Sequence, residues 1–497
     1  MLADLLEGEF DDVNRYANAQ LADLTEITGI ACDSRRGEPG FLFAALPGTV
    51  ADGRAFIDDA VARGATAVLA PSGTVAPTEL AVPLIEGVNA RRSYAVLASR
   101  FYAHQPETIA AVTGTNGKTS VVNFLRQIWC ALGHRAASAG TLGTQARGDG
   151  LNLDYPGSLT TPDPADLHAT LADLAGHGVG RLAIEASSHG LDQYRLDGVR
   201  VHLAAFTNLS RDHLDYHGDE ATYMAAKTRL FSELLDADGV AVLNADSTAF
   251  DSLATACRAR GCRVVGFGRA GLDIRLLDVE ATGSGQRLAV SVSGRITTVH
   301  LPLIGDFQAS NALCAAGLAI ASGDEAQVVL DALETLQGVR GRLELAGTLP
   351  NGASVFVDYA HTPDALETVL KAMRPHAQGR LHVVFGCGGD RDKGKRSEMG
   401  RAAANNADQI IVTDDNPRTE AAASIRDQAM AGCPSAQNIA DRHDAIHAAV
   451  GNLAAGDLLV VAGKGHEQGQ IIGDEVRPFD DVSVVQAAIA EMKERSS

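Results

Sequence analysis

Residues 110–120 read Ala-Ala-Val-Thr-Gly-Thr-Asn-Gly-Lys-Thr-Ser. The apolar run Ile109–Val112 has strand character, and the residues after the loop recur at helical spacing: Val121, Val122, Leu125, Ile128, Trp129 and Leu132. A strand that empties through glycines and Lys-Thr into a helix is an arrangement for nucleotide phosphates. Backbone N–H groups of Gly114, Thr115, Asn116 and Gly117 and the helix N-terminus face the anion. Lys118 adds a point charge, and Thr119 offers a hydroxyl to Mg²⁺. The usual Gly-x-x-x-x-Gly-Lys-Thr needs glycine where this chain has Val112. A plain glycine turn before a helix therefore stays open as a second reading.

On both sides of this loop, strands and helices alternate. Across residues 108–338, three further strands end in polar clusters: Glu185-Ala-Ser-Ser-His-Gly, Thr207-Asn-Leu-Ser-Arg-Asp-His-Leu-Asp-Tyr-His and Asn244-Ala-Asp. In an open parallel sheet the carboxyl ends of strands line the ligand crevice, so these clusters are expected around the phosphate loop. Residues 339–497 repeat the arrangement with strands ending in Asp358-Tyr-Ala-His-Thr-Pro, Gly386-Cys-Gly-Gly-Asp-Arg, Thr413-Asp-Asp-Asn-Pro-Arg and Ala462-Gly-Lys-Gly-His-Glu. Arginine and lysine in these loops suit a second anion-binding crevice. Residues 1–107 read as a small α/β unit, with strands near Phe41–Leu46 and Thr66–Ala70 and a helix over 52–64. Cys32-Asp-Ser-Arg-Arg, in that unit, is either turn chemistry or a contact for pyrophosphate or ribose. The expectation is an α/β protein of three domains: a small N-terminal α/β domain, a central P-loop ATPase with a mostly parallel sheet, and a C-terminal Rossmann-like domain.

The composition narrows the class. With 45% hydrophobic and 21% charged residues the chain is ordinary globular protein, and no apolar run reaches a membrane span. Seven cysteines without a C-x-x-C pair point to reduced thiols and a cytoplasmic setting. A formal net charge of −20 argues against nucleic acid as a partner.

An ATP site needs hard oxygen ligands for its metal, and Thr119 and Glu185 are the natural pair. His213 either reaches a second metal or is a hydrogen-bonded loop histidine. Asn311, read from the residues alone, caps the apolar helix that follows. Lys227, in Tyr-Met-Ala-Ala-Lys-Thr-Arg-Leu-Phe, reads from the residues alone as an ordinary helical lysine.

Seven motifs, in order from the phosphate loop to Gly463-Lys-Gly-His-Glu, resemble those of the Mur ligases, ATP-dependent amide-forming enzymes of peptidoglycan assembly. The third-domain motifs resemble the branch that adds the third residue of the peptide. The resemblance implies a UDP-MurNAc-dipeptide substrate, ATP and Mg²⁺, and a monomeric state is the expectation. It implies catalytic roles for Lys118, Lys227 and His213, with Lys227 carbamylated and joining Thr119, Glu185 and His213 at the metal. It assigns Asn311, Arg342 and Asp358 to ATP beside the loop residues. Ser34, Thr49, Val50, Ala51, Thr160, Thr161, Ser187, Gln193 and Arg195 fall to the UDP substrate. The amino acid is expected to be meso-diaminopimelate, held by Arg391, Asp415, Asn416, Pro417, Arg418, Gly463 and Glu467. Its distal carboxylate is what lysine lacks, and Arg418 can grip it bidentately. Sibling amide ligases, such as folylpolyglutamate synthetases, would share the central loop but not both third-domain motifs. A nucleotide-switched binding module would need a guanine-reading Asn-Lys-x-Asp, which the sequence lacks.

Overall fold

The computed structural model describes residues 1–7, 13–17, 24–48, 51–75, 80–157, 159–210, 212–282 and 285–496. Three sheets organise the chain. The central one has eleven strands, and the strand Thr108–Thr113 lies in its middle, between Arg181–Glu185 and Val201–Phe206. All three run parallel, with Glu185 opposite Val112 and Phe206 opposite Thr113. Their side chains are buried without alternation because helices cover both faces, as parallel sheets require. The register puts the loop at Gly114 level with the polar residues after Glu185 and Phe206, so three chain segments meet at one edge.

The helix Lys118–Ala131 starts at Gly117, whose φ of +89° is left-handed backbone that favours glycine. It turns Phe124, Leu125, Ile128 and Trp129 into the core against the helix Asp306–Ala321. Outside the parallel core the sheet gains antiparallel wings. Gly143–Gly148 and Leu151–Tyr155 extend one side, and Ile274–Thr282, Gly285–Val292 and Arg295–Leu301 the other. The alternating sequence over 288–301 announced only the last hairpin of these.

The N-terminal unit holds a five-stranded sheet, and its expected helix begins as a 3₁₀ turn, Gly53–Phe56, before the α-helical Ile57–Ala62. Asp52 caps that turn by accepting from the Arg54 N–H, which favours the tighter start. The C-terminal sheet has six strands, five of them parallel, with Ser354–Asp358, Leu458–Ala462 and Leu381–Phe385 adjacent. The antiparallel Glu344–Thr348 forms its edge. The loops after Asp358, Phe385, Val412 and Ala462 therefore share one sheet edge, as their sequences suggested.

Candidate active site

The phosphate loop is braced by the residues that follow the strand Val201–Phe206. Thr115 N–H donates to Asn208 O at 2.8 Å, Asn116 N–H to Asn208 Oδ1 at 2.9 Å, and Thr207 Oγ1 to Asn116 O at 2.6 Å. The two glycines are required by space as well as by angle. A Cβ on Gly114 would stand 2.0 Å from Thr207 Oγ1, and one on Gly117 2.4 Å from Asn311 Oδ1. Lys118 Nζ donates to Gly114 O and Thr115 O at 3.0 and 2.9 Å, folded over its own loop.

Thr119 Oγ1 donates to Glu185 Oε2 at 3.1 Å, and Glu185 also accepts from the Thr141 N–H at 2.9 Å. A buried hydroxyl beside a buried carboxylate is a hard-oxygen pair of the kind Mg²⁺ takes, so these residues fit the metal. Lys227 lies close by, 1% exposed, its Nζ donating to Gly114 O at 2.7 Å and set 4.3 Å from the Tyr223 ring centroid. Burial, and then the nearby Lys118, push its ammonium well below the usual lysine range, with Asp212 opposing. Lys118 is also lowered by burial, against the pull of Glu185 and Asp212. His213 adopts a left-handed φ of +53° and stands with its ring 4.9 Å from His189, which lies 5.5 Å from His217.

From Glu185 the hydrogen bonds lead into a second cavity. Thr161 Oγ1 donates to Glu185 O at 2.9 Å, Ser187 N–H donates to Thr161 Oγ1 at 3.0 Å, and Arg195 donates to Thr161 O at 2.7 Å. Thr160 meets Thr141 hydroxyl to hydroxyl at 3.1 Å. Arg195 and Gln193 then line a cavity of about 720 Å³ shared with Ser34, Ala51 and Arg91 of the N-terminal unit. Thr49 and Val50 lie outside the described residues.

At the joint to the C-terminal unit, Arg342 donates to Thr119 Oγ1 at 3.3 Å, with its guanidinium carbon 4.6 Å from the Tyr359 ring centroid. Asp358 accepts from the Leu343 and Ala360 N–H groups, each at 2.7 Å. Those bonds hold Leu343 at its left-handed φ of +47°. Burial raises the Asp358 pKa despite Arg342 and the two N–H donors.

Across the joint, Arg418 NH1 donates to Gly389 O at 2.9 Å. Lys464, fully buried, donates to Glu467 Oε2 at 3.2 Å and stands 3.9 Å from Asp415 Oδ1. Two carboxylates facing one lysine leave a negative balance for an ammonium ligand. A Cβ on Gly463 would meet Asp415 Oδ2 at 2.6 Å. Asn416 is buried, and its carboxamide accepts from Lys464 Nζ at 3.0 Å and donates to Glu467 at 2.8 Å. Arg391 is exposed, and its NH1 donates to Asp390 O at 2.9 Å.

Three family models match the chain: the Mur ligase family catalytic domain over residues 26–102, the Mur ligase middle domain over 112–319 and the Mur ligase glutamate ligase domain over 341–465. The UDP-N-acetylmuramoyl-L-alanyl-D-glutamate--2,6-diaminopimelate ligase of Caulobacter vibrioides is 54% identical over 460 residues, covering 92% of this chain and 94% of its own. The chain belongs to the Mur ligase family. The enzyme of the same description from Bradyrhizobium diazoefficiens is also 54% identical, over 94% of this chain and 95% of its own. A solved structure of such a ligase matches at 34% identity with a TM-score of 0.68, over 94% of this chain and 95% of that one. A folylpolyglutamate synthase from Mycobacterium tuberculosis, at 20% identity and TM-score 0.62 over 81% of this chain and 94% of that one, shares the fold alone.

Within this Mur ligase, Asn311 lies inside the helix Asp306–Ala321, which begins after Gly305, so the capping reading of that residue does not hold. Its carboxamide instead abuts Gly117. Lys227 is no ordinary helical lysine, because an exposed face would not bury its Nζ against a carbonyl of the phosphate loop. Sequence reasoning gave no role to Lys464, Asn208, Tyr223 or Arg91. For Lys464 a signal existed: a lysine between two glycines directly after an apolar strand has little to do except point into a crevice.

Proposed function

We infer that this Mur ligase joins meso-2,6-diaminopimelate to the γ-carboxylate of UDP-N-acetylmuramoyl-L-alanyl-D-glutamate, with ATP converted to ADP and phosphate. The observation that carries the reading is the pairing in one chain of two loops. One is a phosphate loop whose Thr119 meets Glu185. The other is Asp415–Arg418, in which Asp415 shares Lys464 with Glu467 and the Arg418 guanidinium lies against the loop at Gly389. The names of the relatives support the same substrates. The units assigned are 1–107 for the UDP substrate, 108–338 for ATP and ligation, and 339–497 for the amino acid. The reaction belongs to the cytoplasmic stage of peptidoglycan precursor synthesis; among the described residues no helix is long and apolar enough to cross a membrane.

A carboxylate is a poor acyl donor because oxide is a poor leaving group. Its oxygen attacks the γ-phosphorus of ATP, ADP departs, and an acyl phosphate forms. The diaminopimelate amine then adds to the acyl carbon, loses a proton, and inorganic phosphate leaves with its bond pair. Lys118 and the loop N–H groups hold the transferring oxygens. Thr119 and Glu185, with His213 and a carbamylated Lys227, would hold Mg²⁺, which would supply charge neutralisation on the phosphates. Carbamylation needs an unprotonated amine, and burial beside Lys118 shifts Lys227 in the direction that favours one. Ser34, Ala51, Gln193 and Arg195 hold the UDP substrate around the cavity, with Thr160, Thr161 and Ser187 leading its peptide toward Glu185. Arg342 and Asp358 bring the C-terminal unit onto ATP, and Arg418 takes the distal carboxylate.

Amide formation measured side by side with diaminopimelate and L-lysine tests the reading. The expected product is with diaminopimelate, and product from lysine alone overturns it. Arg418→Ala should lower diaminopimelate use at least tenfold, as expected for loss of a charge-assisted pair, with ATP and UDP-substrate binding retained. Phosphate release should require both the UDP substrate and the amino acid.

A further inference from the structure

Residues Gly469–Ile472 and Glu475–Pro478 pair as an antiparallel hairpin that joins none of the three large sheets. All of its strand residues are half-buried or exposed, and Val476 is 66% exposed, so the hairpin adds little to any core. Gln470, Ile471 and Gly473 nonetheless bond one target, the loop Asp415–Arg418. Gln470 Nε2 donates to Asp415 O at 2.7 Å, and Ile471 N–H donates to Asn416 Oδ1 at 2.9 Å. Arg418 N–H donates to Ile471 O at 3.1 Å, and Gly473 N–H donates to Arg418 O at 2.8 Å.

The last two bonds clasp Arg418 on both sides of its Cα. That residue has a left-handed φ of +50°, a conformation that a non-glycine residue keeps only where its surroundings impose it. The opposite wall is equally fixed. Gly389 N–H donates to Asn416 O at 2.9 Å, Arg418 NH1 donates to Gly389 O, and a Cβ on Gly389 would stand 1.9 Å from Pro417 O. The loop is held between these two walls, and the direction of the Arg418 guanidinium follows from both.

We propose that the hairpin Gly469–Pro478 is a specificity clamp, and that Gln470 is a positioning residue that aims Arg418 at the distal carboxylate of the incoming amino acid. This rests on the assignment of Arg418 to that carboxylate. Gln470 touches no substrate; it fixes Asp415 O and through it the start of the turn. A guanidinium that must meet a carboxylate along two parallel N–H···O lines tolerates little misplacement, so loosening the clamp weakens amino-acid binding before anything else.

The test uses the full chain with Gln470→Ala and Gln470→Glu, the second keeping the volume but losing the donor. Steady-state constants are measured for diaminopimelate, ATP and the UDP substrate. The expected result is a KM for diaminopimelate raised about tenfold, the loss of one well-formed hydrogen bond, with kcat and the other two KM values within about twofold. An unmoved KM for diaminopimelate overturns the proposal, and so does a rise in all three KM values together or a fall in kcat alone. If Gln470→Ala does not fold, Gln470→Glu decides. Arg418→Ala run in parallel separates the two readings. If it leaves diaminopimelate use unchanged, the assignment of Arg418 fails. If it lowers that use while both Gln470 variants behave as wild type, only the clamp fails.

Discussion

At the scale of single residues, Lys227 shows how burial makes chemistry. An ammonium there would face Lys118 in a region meant for a cation, and its own desolvation cost works in the same direction. A neutral amine relieves both, and a carbamate formed from it would turn a repelling group into an oxygen ligand. Protein depleted of CO₂ and bicarbonate should therefore lose ligase activity and regain it when bicarbonate returns. Intact-mass measurement on the active form should show one added CO₂, which is absent from Lys227→Ala. That variant should fall about a hundred- to a thousandfold in amide formation, the scale seen when a transition-state electrostatic partner is removed. Activity indifferent to bicarbonate would remove the carbamate from the mechanism. In the local pattern Lys227 sits at an unremarkable helical position, and its carbamylation followed only from the resemblance to the Mur ligases; the 2.7 Å bond to Gly114 O spans more than a hundred residues of chain.

At the scale of elements, the helix Pro164–Gly176 carries His168 into the boundary between the N-terminal and central units. The ring donates from Nε2 to Asp197 O at 3.3 Å, and burial pushes its pKa down from 6.5 to about 4. Between those values the unfolded chain binds a proton that the folded chain refuses, so stability falls as pH drops from 6.5 towards 4 and levels below it. The full loss is about 3 kcal/mol. His168→Gln keeps a donor and cannot titrate, so the urea midpoint of that variant should fall less steeply across the window than that of the wild type. Parallel slopes would remove His168 from the acid limb. Elements were readable where burial is two-faced or periodic. The strands ending at Val112, Glu185, Phe206, Asp358 and Ala462 are apolar runs stopped by polar clusters, and their sequence announces both strand and site. The wing formed by Gly143–Gly148 and Leu151–Tyr155 was not read: Leu-Asn-Leu-Asp-Tyr does alternate apolar and polar residues, but over only five positions, and its apolar side stays half-buried at the sheet edge. Loop contacts were illegible for another reason: Lys464 meets Asn416 through tertiary placement, which no local pattern encodes.

At the scale of the whole molecule, the two outer units are fastened to the centre differently. The N-terminal unit is tied by Tyr94 donating to Asp163 at 2.6 Å, Arg36 to Asp166, Arg92 to Asp197 and Ser99 to Gly198 O at 2.9 Å. Its cavity is thus assembled from both units before any ligand arrives. The C-terminal unit reaches the phosphate loop through Arg342, whose contact with Thr119 is at 3.3 Å. Arg342 Nε is buried without a hydrogen-bond partner. One guanidinium therefore touches the metal-side threonine, packs on Tyr359 and retains a donor for an oxygen that the bound nucleotide can provide. With ATP bound as proposed, Arg342 would be the link through which the nucleotide orders the two halves of the cleft, a gating role that acts on turnover more than on the first substrate. Arg342→Ala should raise the KM for ATP and lower kcat, together by ten- to a hundredfold in kcat/KM, as roughly 1.5–3 kcal/mol of charge-assisted bonding is lost. Calorimetric binding of the UDP substrate should be unchanged, because its cavity lies on the other side of Glu185. Limited proteolysis gives an independent readout. A non-hydrolysable ATP analogue with Mg²⁺ should protect the segment 339–343 in the wild type and fail to protect it in Arg342→Ala. Equal protection in both proteins, or weakened UDP-substrate binding in the variant, would show that the joint is fixed by packing and that Arg342 does not report the nucleotide across it.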